Sequence, residues 1–126
     1  MALGFSDYGD RDGLGLAELV RRREVSAAEL VETALAAIER LNPKLNAVVR
    51  TMAPEAAATL AAGLPPGPFA GVPFLLKDLA PSYAGVPTDG GSRFFKGVVS
   101  AYDSEIMRRW KEAGLVVVGK TNTPEL

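Results

Sequence analysis

The chain has 126 residues, 48% of them hydrophobic and 23% charged, with a formal net charge of −1. That is enough for one small domain with a core, and the charge balance gives nothing to attract a polyanion, so no nucleic-acid partner is expected. Cysteine and histidine are both absent, which removes disulfides, thiolate nucleophiles, histidine metal sites and imidazole acid–base catalysis; any catalytic base must be a carboxylate or a lysine.

The start, MALGFSDYGD, lacks a basic region before an apolar one, and no stretch is long and apolar enough to span a bilayer. No membrane partner is expected, and the expected address is cytoplasmic. The stretch LGLAELVRRR reads as a helix with Leu16, Leu19, Val20 and Arg23 on one face and basic residues at its end, where the helix dipole favours them. VSAAELVETALAAIERLNP follows with a full start signal. Ser26 can cap, Glu29 can return the bond, and Val25 can staple onto Leu30. Its apolar stripe is Leu30, Val31, Ala34, Leu35, Ile38 and Leu41, and Asn42-Pro43 is expected to stop it. APEAAATLAAG reads as a third helix, with Pro54 in its first turn and Gly63 past its end.

LPPGPFAG is a short connector. VPFLL is a continuous apolar run, as in a strand covered on both faces. Residues 80–102 are rich in glycine, proline and small polar groups, which in a loop of that length marks a functional segment or a missed element. DSEIMRRWKEAG reads as a helix capped by Asp103 or Ser104, with Ile106 and Trp110 on one face and Gly114 as its left-handed stop; LVVV is the next strand. Strand, helix, strand predicts a right-handed parallel crossover. The fold class is therefore α/β, with helices over 13–63 and the start of an α/β core over 69–126.

GLVVVGKT, residues 114–121, matches the phosphate-loop pattern G-x-x-x-x-G-K-[ST]. Such a loop needs a strand before its first glycine and a flexible path between the two. Here a helix precedes Gly114, and the path is Leu115, Val116, Val117 and Val118, branched residues that belong in a strand. Gly119 is then expected to open the turn after it. A nucleotide-binding domain remains a rival reading, as does a non-enzymatic fragment whose helices dock a partner.

Lys77 ends the apolar run in GPFAGVPFLLKDL. It can snorkel to solvent or pair with Asp78. Desolvation can instead leave a neutral amine able to take a proton.

These residues carry a resemblance. GPFAGVPFLLKDL, then GVPTDGGS, then DSEIMRRWKEAGLVVVGKTNTPEL resemble the N-terminal part of the amidase signature family, and REVSAAELVETALAAIERLNPKLNAVV resembles its opening helices. The likeness runs from about Leu14 to Leu126. It implies an amide hydrolase on a mixed α/β sheet, with a serine–cis-serine–lysine triad in which Lys77 is the catalytic lysine, and with no cofactor or metal. A neutral lysine would draw a proton through the cis-serine from the nucleophilic serine, and backbone N–H groups would hold the oxyanion. In the family, the segment bearing both serines follows GKTNTPEL. This chain stops at Leu126, and Ser92, in DGGS, reads as a turn residue. The chain is thus expected to be the N-terminal part of one amidase domain. Its partners would be a small-molecule amide and the remainder of the polypeptide or a complementing chain. Alone, its unpaired strand edges are expected to drive homo-oligomer formation or aggregation. Within the family it looks most like hydrolases of linear or cyclic amides, including 6-aminohexanoate cyclic dimer hydrolases. The glutamine-hydrolysing subunit of the tRNA amidotransferase shares the same core, and the two stay open.

Overall fold

A computed structural model describes residues 4–124. Met1–Leu3, at the head of the stretch read for a leader, and Glu125–Leu126, at the end of the family-like stretch, lie outside the described residues. The element order is α1 (Phe5–Gly9), α2 (Gly13–Arg21), α3 (Ala27–Leu45), β1 (Val48–Thr51), α4 (Ala53–Ala62), β2 (Pro73–Lys77), α5 (Glu105–Glu112) and β3 (Val116–Thr121). No helix among the described residues is long and apolar enough to cross a membrane.

The helical half follows its signals closely. In α2, Leu16 and Leu19 are buried and Val20 is half-buried. Arg23 is not on that face: the helix ends at Arg21, and Arg23 takes a left-handed φ of 59° that turns the chain into α3. There the capping box is complete. The Ser26 hydroxyl accepts from the Glu29 N–H at 3.1 Å, and the Glu29 carboxylate accepts from the Ser26 N–H at 2.8 Å. Val25 and Leu30 lie in one buried cluster with Leu16, Leu19, Val72 and Leu115.

Asn42-Pro43 does not stop α3, which runs to Leu45 with Pro43 inside it. The proline forfeits one backbone donor. Asn42 offsets the loss, because its side-chain amide donates to the Val48 carbonyl and accepts from the Val48 N–H, both at 2.8 Å. The stop is Asn46, in the left-handed region at φ 48°. The Asn42 clamp starts β1, a strand that four residues of weak alternation did not announce. α1 also lacked a sequence signal. α4 matches its prediction from Ala53 to Ala62, with proline in its first turn and Gly63 beyond its end.

The sheet is mixed, in the order β1-β3-β2: β1 runs antiparallel to β3, and β2 runs parallel to it. β3 is longer than LVVV, and Gly119 lies inside it rather than in a turn, because β1 and β2 pair on both sides as far as Thr121. Val116 and Val118 pack with Val31 and Ala34 of α3 and with Ala56 of α4. Val117 packs on the other face with Leu76, Met52, Val86 and Met107. Met107, not Ile106, is the buried residue of α5; Ile106 is 47% exposed. Nor is β2 covered on both faces, since Leu75 is exposed and Leu76 is buried.

Between β2 and α5 the chain is an ordered loop with one isolated bridge, Pro87 to Val99, in place of a missed strand or helix. The carboxylate of Asp103 ties it down, accepting from the Ala84 N–H at 2.8 Å and from the Lys111 ammonium at 2.6 Å. Asp103 therefore anchors the loop and does not cap α5. Ser104 holds the cap position without a side-chain bond. Ser92 behaves as the turn residue expected: its N–H donates to the Asp89 carbonyl, and its hydroxyl accepts from the Phe94 N–H.

Candidate active site

Lys77 closes β2 at the end where parallel strands of α/β sheets commonly present ligand sites. Its backbone surroundings are stitched to β3. The Thr121 hydroxyl donates to the Leu76 carbonyl at 3.3 Å, the Asp78 N–H donates to the Thr121 carbonyl at 3.2 Å, and the Thr123 hydroxyl donates to the Asp78 carbonyl at 3.4 Å. The side chain is exposed, and among the described residues it forms no ion pair or side-chain hydrogen bond.

Asp78 is not its partner. That carboxylate is buried and bound to Lys120. Lys120 has no solvent exposure, and its Nζ donates to Asp78 Oδ1 at 3.2 Å, to the Pro87 carbonyl at 2.6 Å and to the Thr88 hydroxyl at 2.6 Å. Burial pushes its pKa below the ordinary lysine value, against the opposing pull of Asp78. The sequence singled out Lys77 as the lysine beside a core; in this chain the buried ammonium is Lys120. The signal was present in part, because Lys120 stands one glycine beyond a continuous valine run, within reach of the central strand that buries it. Assigning Gly119 to a turn hid it.

The placement of GLVVVGKT answers the nucleotide reading. Gly114 ends α5 with φ 90°, the valines lie in β3, and Lys120 has spent all three of its protons on protein acceptors. The backbone donors of this strand pair with β1 and β2 instead of lining an anion nest. Calorimetry with ATP or GTP and magnesium is expected to show no binding heat; saturable binding abolished by Lys120→Ala would restore a phosphate site. The docking-fragment reading loses most of its surface as well, since Leu16 and Leu19 of α2 and Leu30, Val31 and Ala34 of α3 are buried in the chain's own clusters, although Leu41 stays exposed.

The model of the family described as Amidase matches residues 29–126. The chain belongs to the amidase family. It is 42% identical over 123 residues to a lipoamidase of Enterococcus faecalis, covering 96% of this chain and 17% of that protein. It is 39% identical over 118 residues to a 6-aminohexanoate-cyclic-dimer hydrolase of Paenarthrobacter ureafaciens, covering 92% of this chain and 24% of the relative. The solved structure of a 6-aminohexanoate cyclic dimer hydrolase complexed with its substrate superposes with a TM-score of 0.85 at 38% identity, covering 91% of this chain and 24% of that one. The chain thus spans about a quarter or less of the length of these amidases. The mixed α/β architecture expected from the sequence is theirs.

Proposed function

We propose that this chain is the lysine-bearing part of an amide hydrolase, and that Lys77 is the proton acceptor of a serine–cis-serine–lysine triad whose serines come from sequence beyond it. The observation that carries the reading is the state of Lys77. Its strand end is fixed by three bonds to β3 and the turn after it, while among the described residues its amine has no partner and the adjacent Asp78 is bound by Lys120. A lysine that merely held the fold together would be expected to use the carboxylate beside it. A free amine on a fixed backbone suits proton transfer once the remainder of the enzyme covers and desolvates it.

The substrate class is a small molecule with a carbon–nitrogen amide bond. A lipoamidase and a cyclic-dimer hydrolase, with different named substrates, both match this segment at about the same identity. That supports a segment contributing shared chemistry, with substrate choice made elsewhere. The flank of β2, unpartnered among the described residues, and the exposed Phe94, Phe95 and Tyr102 support a surface that the rest of the polypeptide, or a complementing chain, covers.

Two measurements test the proposal together. The complete polypeptide is expected to hydrolyse a simple linear amide, whereas residues 1–126 alone are expected to be inactive and to associate or stay loosely folded until the remainder is added. A cooperative thermal transition of a monomer of this segment would sink the incomplete-sheet argument. A complete polypeptide inert towards a panel of linear and cyclic amides would sink the enzymatic one.

A further inference from the structure

The Lys120–Asp78 pair is an expensive feature to keep. The side chains are 0% and 7% exposed, so both charges have left water, and the attraction between such charges often does no better than an apolar pair of the same size. What the pair does offer is fixed geometry. Lys120 joins three segments through one ammonium: β3, which carries it, Asp78 at the end of β2, and Pro87-Thr88 in the loop between β2 and α5. Asp78 extends the network by accepting from the Asp89 N–H at 3.2 Å, and the Asp89 carboxylate accepts from the Gly97 N–H at 2.8 Å. β3, the residue that follows Lys77 and the loop after it are thereby tied to a single buried point.

We infer that Lys120 and Asp78 form a positioning device for Lys77, locking the end of β2 and the loop beside it so that the Lys77 amine is presented in one geometry. The inference rests on the proposed role of Lys77 and adds two residues that touch neither substrate nor the reacting atoms. By pairing with Asp78, Lys120 also neutralises the carboxylate next in sequence to Lys77, whose uncompensated charge would favour the ammonium form of that amine. The other charged groups acting on Lys120 are Arg50, on β1, and Asp89, in the loop. Both remain in every variant below.

The test uses the complete polypeptide carrying Lys120→Met, Asp78→Asn, or both, with Lys77→Ala as control. The double variant removes both charges at nearly constant volume and is expected to stay folded. Its kcat for a linear amide should fall roughly 10- to 100-fold, the scale of a small misplacement of a catalytic group, with KM nearly unchanged. The single variants should move the acid limb of the pH–rate profile in opposite directions. Lys120→Met frees a carboxylate that stabilises protonated Lys77, so the limb moves to higher pH. Asp78→Asn leaves an uncompensated cation that disfavours protonation, so the limb moves to lower pH. A double variant with wild-type kcat, or single variants that shift the limb the same way or not at all, overturn the inference. If a single variant does not fold, the kcat of the double decides. An active Lys77→Ala control overturns the triad reading first, and the inference with it, so the two failures are told apart.

Discussion

Lys77→Ala and Lys77→Arg are each expected to cut amide hydrolysis by the complete polypeptide by at least ~100-fold, the low end for loss of a general base. The arginine variant is the informative one. A residue that held the fold by positive charge would tolerate guanidinium, which keeps the charge and lengthens the reach. A residue that relays protons would not, because guanidinium stays protonated at any working pH and has no lone pair to offer. Neither substitution should unfold the protein, since Lys77 is exposed in this chain and its backbone bonds to β3 do not involve its side chain. The wild-type rate should fall as pH drops and the amine becomes protonated. Rates for the three proteins across pH make the measurement. A folded Lys77→Arg enzyme with near wild-type turnover would show that the proton goes elsewhere.

Gly114→Ala is expected to cost the complete polypeptide about 3 kcal/mol, from left-handed strain combined with overpacking. Gly114 has φ 90°, and a Cβ there would sit 2.5 Å from Ala70 Cα and 2.8 Å from Ala70 N. Those are backbone atoms of a connector that is itself bonded to the turn: the Gly71 N–H donates to the Gly114 carbonyl and the Phe69 N–H to the Ala113 carbonyl, both at 2.9 Å. The contact therefore cannot relax without breaking the join between the connector and the start of β3. Gly85→Ala is the control. Its φ is 78°, but nothing lies within 4 Å of the added methyl, so only the strain of about 1 kcal/mol remains. Urea midpoints of the two variants should separate clearly. Equal losses would mean that the close approach to Ala70 contributes nothing.

Much of this architecture was legible residue by residue. Ser26 and Glu29 announced the start of α3, Pro54 and Gly63 bracketed α4, and Gly114 marked the end of α5, because caps and breakers act through local backbone chemistry. What escaped depended on partners distant in sequence. β1 exists because Asn42 clamps Val48 and because β3 offers an open flank. Pro43 stays helical because the same Asn42 steadies the last turn. Met107 displaced Ile106 as the buried residue of α5 because the sheet, not the helix, decides which stripe is covered. At the candidate site, motif resemblance singled out Lys77, whose role is the proposal made above. Asp78 was visible only as a neighbour, and placing Gly119 in a turn hid Lys120. An ion pair between residues 42 positions apart leaves no local trace.

The register between β2 and β3 slips at one point: Phe74 pairs with Val117, but Leu75 pairs with Gly119, so Val118 is the extra residue. Strand side chains alternate, so this single extra residue reverses the parity of everything after it. Without it Lys120 would share a side with Val116 and Val118, facing α3 and α4 and away from Asp78. With it, Lys120 pairs opposite Leu76 and reaches Asp78, while Lys77 pairs opposite Thr121. The two lysines are kept apart by counting, not by distance. Point substitutions at either position can change a charge but cannot exchange the two sides; only an insertion or deletion within β3 can. In any sequence descended from this one, the spacing between Val116 and Lys120 should thus be harder to alter than the identity of the residues that fill it.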